Sequence, residues 1–353
     1  MYKVRMVRRE HNSMWVEVIV PIMSIILAVA FGWLFLSWSG HDAAATYMRM
    51  LNGAIGSKYN LSETVVKAIP LMLAGLAVSL AFRMKLWNIG GEGQLYMGAF
   101  AASGIALACG DMSAWLLLPL MLLAGFAAGA IWGGIPGVLR AYWQVNETIT
   151  TLMLNYVAIF WVSYLVFGPW KDPASMGFPL SARFSLNAYL PVLGTTRVHL
   201  GLIIAIIIAV LFYIILNYTR WGYEIRVSGE SQEAARYAGI NVTRNIILVM
   251  LISGGIAGVT GMIEVSGITH RLQQGISPGY GYTGIIVAWL ARLNPFAIIL
   301  VAFLFGALLV GGFGIQTMGI SYSIVLILQG AVLFFLLAGE FFRKYRVVLT
   351  KGD

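Results

Sequence analysis

The sequence predicts an all-α, polytopic membrane protein, and three observations lead to that class. Of the 353 residues, 59% are hydrophobic and only 10% are charged, whereas soluble domains carry about 25% charged residues. Many apolar runs reach about 20 residues, the length of a helix that crosses a bilayer. The 11 Trp and 16 Tyr suit the two membrane–water interfaces, where amphipathic rings collect. We therefore expect a single membrane domain over residues 1–353.

The apolar runs divide the chain into ten predicted spans. An even number of spans puts both chain ends on the same side. With the N-terminus in the cytoplasm, the 23 Lys and Arg divide into 16 on the inner side and 7 on the outer side, as the positive-inside rule requires. The sequence thus predicts that both termini are cytoplasmic. The spans are 15–38, 64–82, 91–109, 114–139, 149–167, 200–217, 245–264, 278–292, 296–313 and 320–338.

Two further features concern how the spans are arranged. Spans 2–5 and spans 7–10 begin on opposite sides, which fits an inverted repeat, although no strong sequence repeat supports it. The eighth span is short and glycine-flanked, which predicts a half-helix or a re-entrant segment. In the fourth span, glycines recur every four residues on one helix face, where backbones approach closely. We expect helix packing at these four positions, Gly125, Gly129, Gly133 and Gly137.

Residues 86–94 (LWNIGGEGQ) combine amides, a carboxylate and three glycines between two apolar runs. Polar groups at membrane depth are costly unless they line a water-filled path or are buried in protein. Hydrogen bonding at a helix end is an equally good explanation for Asn88 and Gln94, and helix-dipole stabilisation explains Glu92. The span count puts this segment at the cytoplasmic turn between spans two and three. The candidate pathway residues are Trp87, Asn88, Glu92, Gln94 and Asn155.

The largest inner loop, residues 218–244, is predicted to carry a short helix. Ser231 is a good N-cap, Glu233 lies in the first turn, and Gly239 fits the position after the helix. A helix of two turns is unstable alone in water. We expect it to dock into a groove on another protein, and the alternative is a helix that lies on anionic lipid.

Four motifs in order resemble one group of known proteins: LWNIGGEGQLYMGAF, NETITTLMLNY (146–156), GESQEAARYAGI and GYTGIIVAWLARLNPF (281–296). They are similar to permease subunits of bacterial ABC importers, in the branch shared by ribose-type sugar and purine-nucleoside importers, and closest to nucleoside importers that use basic-membrane-protein lipoproteins. The third motif resembles the coupling helix that contacts the ATPase. The resemblance implies that ATPase coupling involves Glu230, Glu233, Ala234, Ala235, Arg236 and Gly239.

The resemblance also implies partners and a location. They are a second related permease that forms a heterodimer, a cytoplasmic ATP-binding cassette protein and an extracytoplasmic substrate-binding lipoprotein, in the bacterial inner membrane. The expected substrate is a nucleoside. A ribose-like sugar and a riboflavin-type vitamin are the alternatives within this class.

Several function classes are disfavoured by the residues themselves. The sequence has no G-x-x-x-x-G-K-[ST] phosphate loop, so we expect a non-catalytic subunit and ATP hydrolysis on another chain. The four His are scattered without metal-ligand spacing, so neither a metal nor a cofactor is predicted. The net charge of +9 lies in short loops, which argues against nucleic acid. A self-sufficient secondary transporter is the remaining alternative, although few acids lie within the spans to couple ions.

Overall fold

The computed structural model describes residues 2–8 and 14–351, and about three quarters of them are helical. The helices are α1 (Met14–Trp38), α2 (Ala43–Ile55), α3 (Lys58–Arg83), α4 (Gly91–Ala108), α5 (Ala114–Trp143), α6 (Glu147–Phe167), α7 (Gly201–Tyr218), α8 (Arg220–Glu230), α9 (Gln232–Tyr237), α10 (Val242–Glu264), α11 (Tyr280–Leu290), α12 (Pro295–Gln316) and α13 (Ser323–Lys344). Two antiparallel strands, β1 (Tyr2–Arg8) and β2 (Tyr345–Lys351), pair with each other.

A helix lies at each of the ten predicted span positions, and within the fully described residues six of these helices are long and apolar enough to cross a membrane. The membrane class is therefore confirmed, while the number of ten crossings and the orientation stay predictions. The hydropathy pattern missed α2 and α8, because both are amphipathic rather than continuously apolar. It also missed the two strands. The six helices are α3, α5, α6, α7, α10 with its continuation to Thr269, and α12.

The chain forms two compact units. Unit 1 comprises Met1–Ser57 and Leu308–Asp353. In its core, Leu36, Met50 and Leu328 are buried together. The Tyr47 hydroxyl donates to the Val29 carbonyl at 2.9 Å, which fixes α2 against α1.

Unit 2, Lys58–Ala307, is built around α10, which packs against α3, α4 and α5. Glycines make the contacts between α10 and α5 close. A Cβ built at Gly129 would overlap the carbonyl oxygen of Gly254, and one built at Gly258 would overlap that of Gly125. The glycine spacing in span four therefore does bring two helix backbones together, as the sequence predicts.

The predicted eighth span is occupied by the short helix α11, with 11 residues. At 1.5 Å per residue its length is about 16 Å, roughly half the hydrocarbon thickness of a bilayer. The backbone before it turns sharply at Gly275 and Gly279, whose φ angles are +68° and +98°. These left-handed conformations favour glycine. The prediction of a half-helix or re-entrant segment is consistent with this short element.

Candidate functional site

The segment between α3 and α4 runs through the interior of unit 2 without forming a helix. Met84, Leu86, Asn88 and Gly90 are buried, and the chain turns at Lys85, where φ is +57°. Trp87 remains 44% exposed. The alternation of buried and exposed side chains identifies an irregular strip of chain with one face against the helix bundle.

Asn88 and Gln94 bond to each other through both amide groups. Asn88 Nδ2 donates to Gln94 Oε1 at 3.1 Å, and Gln94 Nε2 donates to Asn88 Oδ1 at 2.9 Å. Asn88 Nδ2 also donates to Ser253 Oγ at 2.9 Å, and Ser253 donates to the Ala77 carbonyl at 2.6 Å. The Gly90 N–H donates to Asn88 Oδ1. All four hydrogen-bonding positions of the Asn88 side chain are thus used to join α3, α4 and α10.

Glu92 lies in the first turn of α4, and its side chain contacts the start of α11. Its Oε2 accepts a hydrogen bond of 2.8 Å from the Gly281 N–H. A Cβ at Gly281 would overlap the Glu92 backbone. A carboxyl group at a helix N-terminus is favoured by the unpaired N–H groups and the helix dipole. Glu92 therefore satisfies an N–H group at the start of α11, while its position in the first turn of α4 is favoured by the dipole of that helix.

Asn155 joins α6 to the same region. Its Oδ1 accepts from the Gly93 N–H at 2.8 Å, and its Nδ2 donates to the Ile89 carbonyl at 2.9 Å and to the Tyr282 hydroxyl at 3.2 Å. The side chain is fully buried. Asn155 thus fixes the residues before α4, the start of α4 and the first turn of α11.

The depth of this junction follows from its contacts with α6 and α10. Ser253 lies in the middle of α10, and Asn155 lies near the middle of α6. Because residues 88–94 bond to both, the start of α4 lies halfway along these helices rather than at their ends. The cytoplasmic turn that the span count places at residues 86–94 stays a prediction: Trp87 bonds to Glu147, the first residue of α6, whereas Asn88 and Gly93 bond to the middle of α10 and α6. The chain re-enters the bundle after α3, and two helices, α4 and α11, begin in its middle.

Exposed aromatic side chains lie beside the junction. Trp87 contacts Phe82 and Trp289, with ring centroids 5.2 and 5.9 Å apart, and Tyr282 is 37% exposed. Tyr156, next to Asn155, is 51% exposed. Of the five candidate pathway residues, Trp87 alone offers a large exposed surface, and the other four are buried in hydrogen bonds. Tyr282 and Trp289 were not among the candidates, although both lie in the GYTGIIVAWLARLNPF motif.

Three of the four sequence motifs meet at this site, and the third contacts the chain just before it. The Trp87 N–H donates to Glu147 Oε1 at 3.2 Å, which joins the first motif to the second. Asn155 and Gly281 complete the contacts among the first, second and fourth motifs. A Cβ at Gly229, in the third motif, would overlap the Arg83 carbonyl just before residues 86–94. The motifs therefore describe one connected structure.

The predicted short helix in the inner loop is α9, and its ends are those expected. Ser231 Oγ accepts from the Ala234 N–H at 3.2 Å, and Gly239 has a φ of +76°. Ala235 is buried, whereas Ala234 and Arg236 are exposed. Tyr237 is 95% exposed, so it offers the largest surface of this helix to a partner.

The remaining predicted coupling residues lie around the two ends of this helix. Glu230, at the end of α8, and Glu233 are exposed, and Glu230 forms an exposed ion pair of 3.9 Å with Lys85. Sequence reasoning missed α8 itself, which precedes α9 and packs against Arg83 through Gly229.

The long loop before α7 packs on residues 266–272. Arg197 pairs with Glu63 at 3.1 Å, and the Tyr189 and His270 rings stack 3.7 Å apart. His199 is fully buried beside Gly267. Burial, with His270 and Arg197 nearby, lowers the pKa of His199 to about 4. In the described part of the chain, no group of three or more His, Cys, Asp and Glu side chains could hold a metal ion.

Comparison with known proteins identifies the family of this chain. Residues 60–337 match the family described as the branched-chain amino acid transport system / permease component. The chain belongs to this permease family. The matched region contains the whole junction and the inner loop.

Three relatives are similar over nearly their whole length. The glucose ABC transporter permease protein TsgB13 of Haloferax volcanii is 39% identical, with 94% of this chain and 90% of the relative covered. The guanosine ABC transporter permease protein NupP of Bacillus subtilis is 38% identical, over 84% and 85%. The nucleoside ABC transporter permease protein NupB of Lactococcus lactis is 31% identical, over 92% of each. Second permeases of the latter two organisms, NupQ and NupC, are 27% and 26% identical. This chain is thus an ABC transporter permease subunit, a multi-pass membrane protein.

Proposed function

We propose that the chain is the permease subunit of an ATP-driven importer for nucleosides in the bacterial inner membrane. Residues 1–353 act as one permease domain, with the loop 218–244 for coupling, and both termini lie in the cytoplasm. The observation that carries the proposal is the aromatic group beside the junction of α4 and α11, in which Trp87 and Tyr282 are exposed and Trp289, partly buried, packs against Trp87. A translocation pathway that avoids strong binding needs such surfaces rather than buried charges.

Nucleobases offer flat π faces, and stacking on an aromatic side chain contributes about 1–3 kcal/mol per base. Trp87 is 44% exposed and Tyr282 is 37% exposed, so both rings are accessible to a solute. The buried residues Asn88, Glu92, Gln94 and Asn155 hold these rings in place through α4 and α11. The similarity to guanosine and nucleoside permeases supports the same substrate class.

A hexose is the second candidate substrate, and the 39% identity to a glucose permease favours it. Aromatic faces also bind the apolar faces of sugar rings, so the exposed rings alone do not separate the two substrates. A ribose-like sugar and a riboflavin-type vitamin remain further alternatives. A self-sufficient secondary transporter is disfavoured by membership of a family whose members work with ABC partners.

Three partners complete the proposed importer. A second permease is supported by the paired relatives, since NupP and NupQ come from one organism and NupB and NupC from another. An ATP-binding cassette protein docks on α9, where Glu233, Ala234, Arg236 and Tyr237 are exposed. Glu230, Ala235 and Gly239 shape that helix and its approach. A substrate-binding lipoprotein meets the outer side.

The test is uptake into liposomes by the purified permease pair, with and without the ATPase subunit and the binding lipoprotein. We expect uptake of labelled guanosine that requires both added proteins and ATP. Excess unlabelled adenosine should reduce this uptake. Uptake by the pair alone would contradict ATP drive. Competition by glucose, without competition by adenosine, would show that the substrate is a hexose and not a nucleoside.

A further inference from the structure

A cavity of about 580 Å³ lies between the first turn of α8 and the N-terminal half of α10. Two arginines, Arg220 from α8 and Arg244 from α10, stand at its polar side. Leu248 and Ile252 from α10 form its apolar side. None of the residues that line this cavity belongs to the junction or to α9. The cavity is therefore separate from the proposed pathway and from the coupling helix.

The polar wall of the cavity is held by its own hydrogen bonds. Trp221 Nε1 donates to Asn245 Oδ1 at 3.2 Å, and Asn245 Nδ2 donates to Glu224 Oε2 at 3.1 Å. Arg220 Nε lies 3.4 Å from Glu224 Oε1. One carboxylate thus faces two guanidinium groups, so the lining keeps a net positive charge. The Arg220 side chain is 92% exposed and can reach an anion at the mouth.

The order of residues along α10 identifies the kind of ligand. Arg244, Leu248 and Ile252 are spaced by four residues, so they form one stripe on the helix. Ile252 lies ten residues after the first residue of α10, about 15 Å along the helix. A positive mouth that continues into an apolar groove along a membrane-crossing helix matches a phosphate group joined to an acyl chain. A soluble anion would leave the apolar side empty.

We propose that this cavity binds one anionic phospholipid of the cytoplasmic leaflet. The lipid phosphate lies between Arg220 and Arg244, since guanidinium groups donate strongly to phosphate oxygens. One acyl chain lies along Leu248 and Ile252, and the Trp221 ring lies at the interface, where tryptophan is enriched. The proposal rests on the orientation of α10 in the membrane and is independent of the substrate.

A second cavity of about 660 Å³ supplies an internal control. It lies near the N-terminal ends of α5 and α7, and Trp115, Leu118 and Met262 are among its apolar lining residues. It has no charged lining residue. We therefore expect it to show no preference for anionic headgroups.

The test is lipid retention by the full-length protein, measured by native mass spectrometry after transfer from nanodiscs that contain phosphatidylcholine and phosphatidylglycerol. The wild-type protein should keep one phosphatidylglycerol. In the Arg220→Gln/Arg244→Gln variant, its apparent affinity should fall about thirtyfold, since both positive charges that attract the lipid phosphate are lost. The Arg220→Lys/Arg244→Lys variant should keep most of the bound lipid. Leu248→Trp, which fills the apolar side without a change of charge, should also release it.

The matched controls are Arg226→Gln, on α8 but outside the cavity lining, and Leu118→Trp, which fills the second cavity. Both should retain phosphatidylglycerol like the wild type. Equal loss in Leu118→Trp, or equal retention in the Arg220→Gln/Arg244→Gln variant, would overturn the proposal. Displacement of the lipid by millimolar inorganic phosphate or ATP would overturn the proposal and show that the cavity binds a soluble anion. Size-exclusion elution and thermal unfolding identify any variant that fails to fold.

Discussion

Glu92 Oε2 accepts a 2.8 Å hydrogen bond from the Gly281 N–H, although 189 residues separate them in the chain. The bond brings the first turns of α4 and α11 together in the middle of unit 2. Because α11 is too short to cross a bilayer, its start needs a partner inside the protein for its unpaired N–H groups. Glu92 provides that partner, and the exposed aromatic rings depend on the resulting geometry.

The contact between these two helix starts leaves no space for a side chain at Gly281. We predict that Gly281→Ala lowers the free energy of unfolding by about 1–3 kcal/mol, because its methyl group would overlap the Glu92 backbone. Thermal unfolding in detergent measures the change. The control is Gly330→Ala in α13, where a Cβ meets nothing within 4 Å. That change should stabilise by about 0.5–1 kcal/mol. Equal effects at both sites would contradict the close contact.

The reciprocal amide pair of Asn88 and Gln94 predicts a coupled loss of stability. Asn88→Ala and Gln94→Ala should each cost about 1–3 kcal/mol, since each leaves a buried amide unpaired. The double variant should cost less than the sum of the two, by about 1 kcal/mol. A double-mutant cycle of thermal unfolding tests this. Asn217→Ala, at an exposed position on α7, is the control. Additive effects would show that the two side chains act separately.

The exposed ring of Trp87 predicts a change in transport rather than folding. Trp87→Ala should weaken nucleoside uptake about tenfold, the loss expected for one stacking contact. Trp87→Phe should keep most of it. Uptake by the reconstituted importer is the measurement, with Trp115→Ala, 91% exposed on α5, as the control. Unchanged uptake in Trp87→Ala would remove this residue from the pathway.

Two neighbouring alanines of α9 should give different results. Ala234 is exposed, so Ala234→Arg should preserve folding while it weakens ATPase docking by about 2 kcal/mol, roughly thirtyfold. Ala235 is buried, so Ala235→Arg should lower thermal stability as well. Binding of the purified ATPase subunit and uptake measure the first effect. Ala174→Arg, at an exposed position of the long loop before α7, is the control. Docking that survives Ala234→Arg would exclude α9 as the contact.

Buried His199 predicts a loss of stability at acid pH. Its pKa is lowered to about 4 in the folded protein, against about 6.5 in the unfolded chain. The unfolded state therefore binds the proton more readily. The contribution of His199 is complete above about pH 6.5 and falls by up to about 1.4 kcal/mol per pH unit down to about pH 4. His199→Gln should flatten this part of the unfolding profile, and an unchanged slope would contradict the assignment.

Much of the fold could be predicted from the sequence because its determinants are local. Apolar runs placed a helix at each of ten positions, and Ser231 with Gly239 defined the ends of α9 within one residue. Amphipathic α2 and α8 were missed, since their pattern does not resemble a continuous apolar span. The four motifs indicate the permease family without any knowledge of tertiary contacts.

The sequence by itself determined the membrane class, the positions of the ten apolar helices and the motifs that meet in the structure. Tertiary structure decided their depth and exposure: Asn88, Glu92, Gln94 and Asn155 are buried, Trp87 is exposed, and Ala235 faces inward. The physical reason is that local propensity fixes where a helix starts, whereas its depth depends on distant partners. Ser253 and Gly281, which hold Asn88 and Glu92, carry no local signal that marks them as those partners.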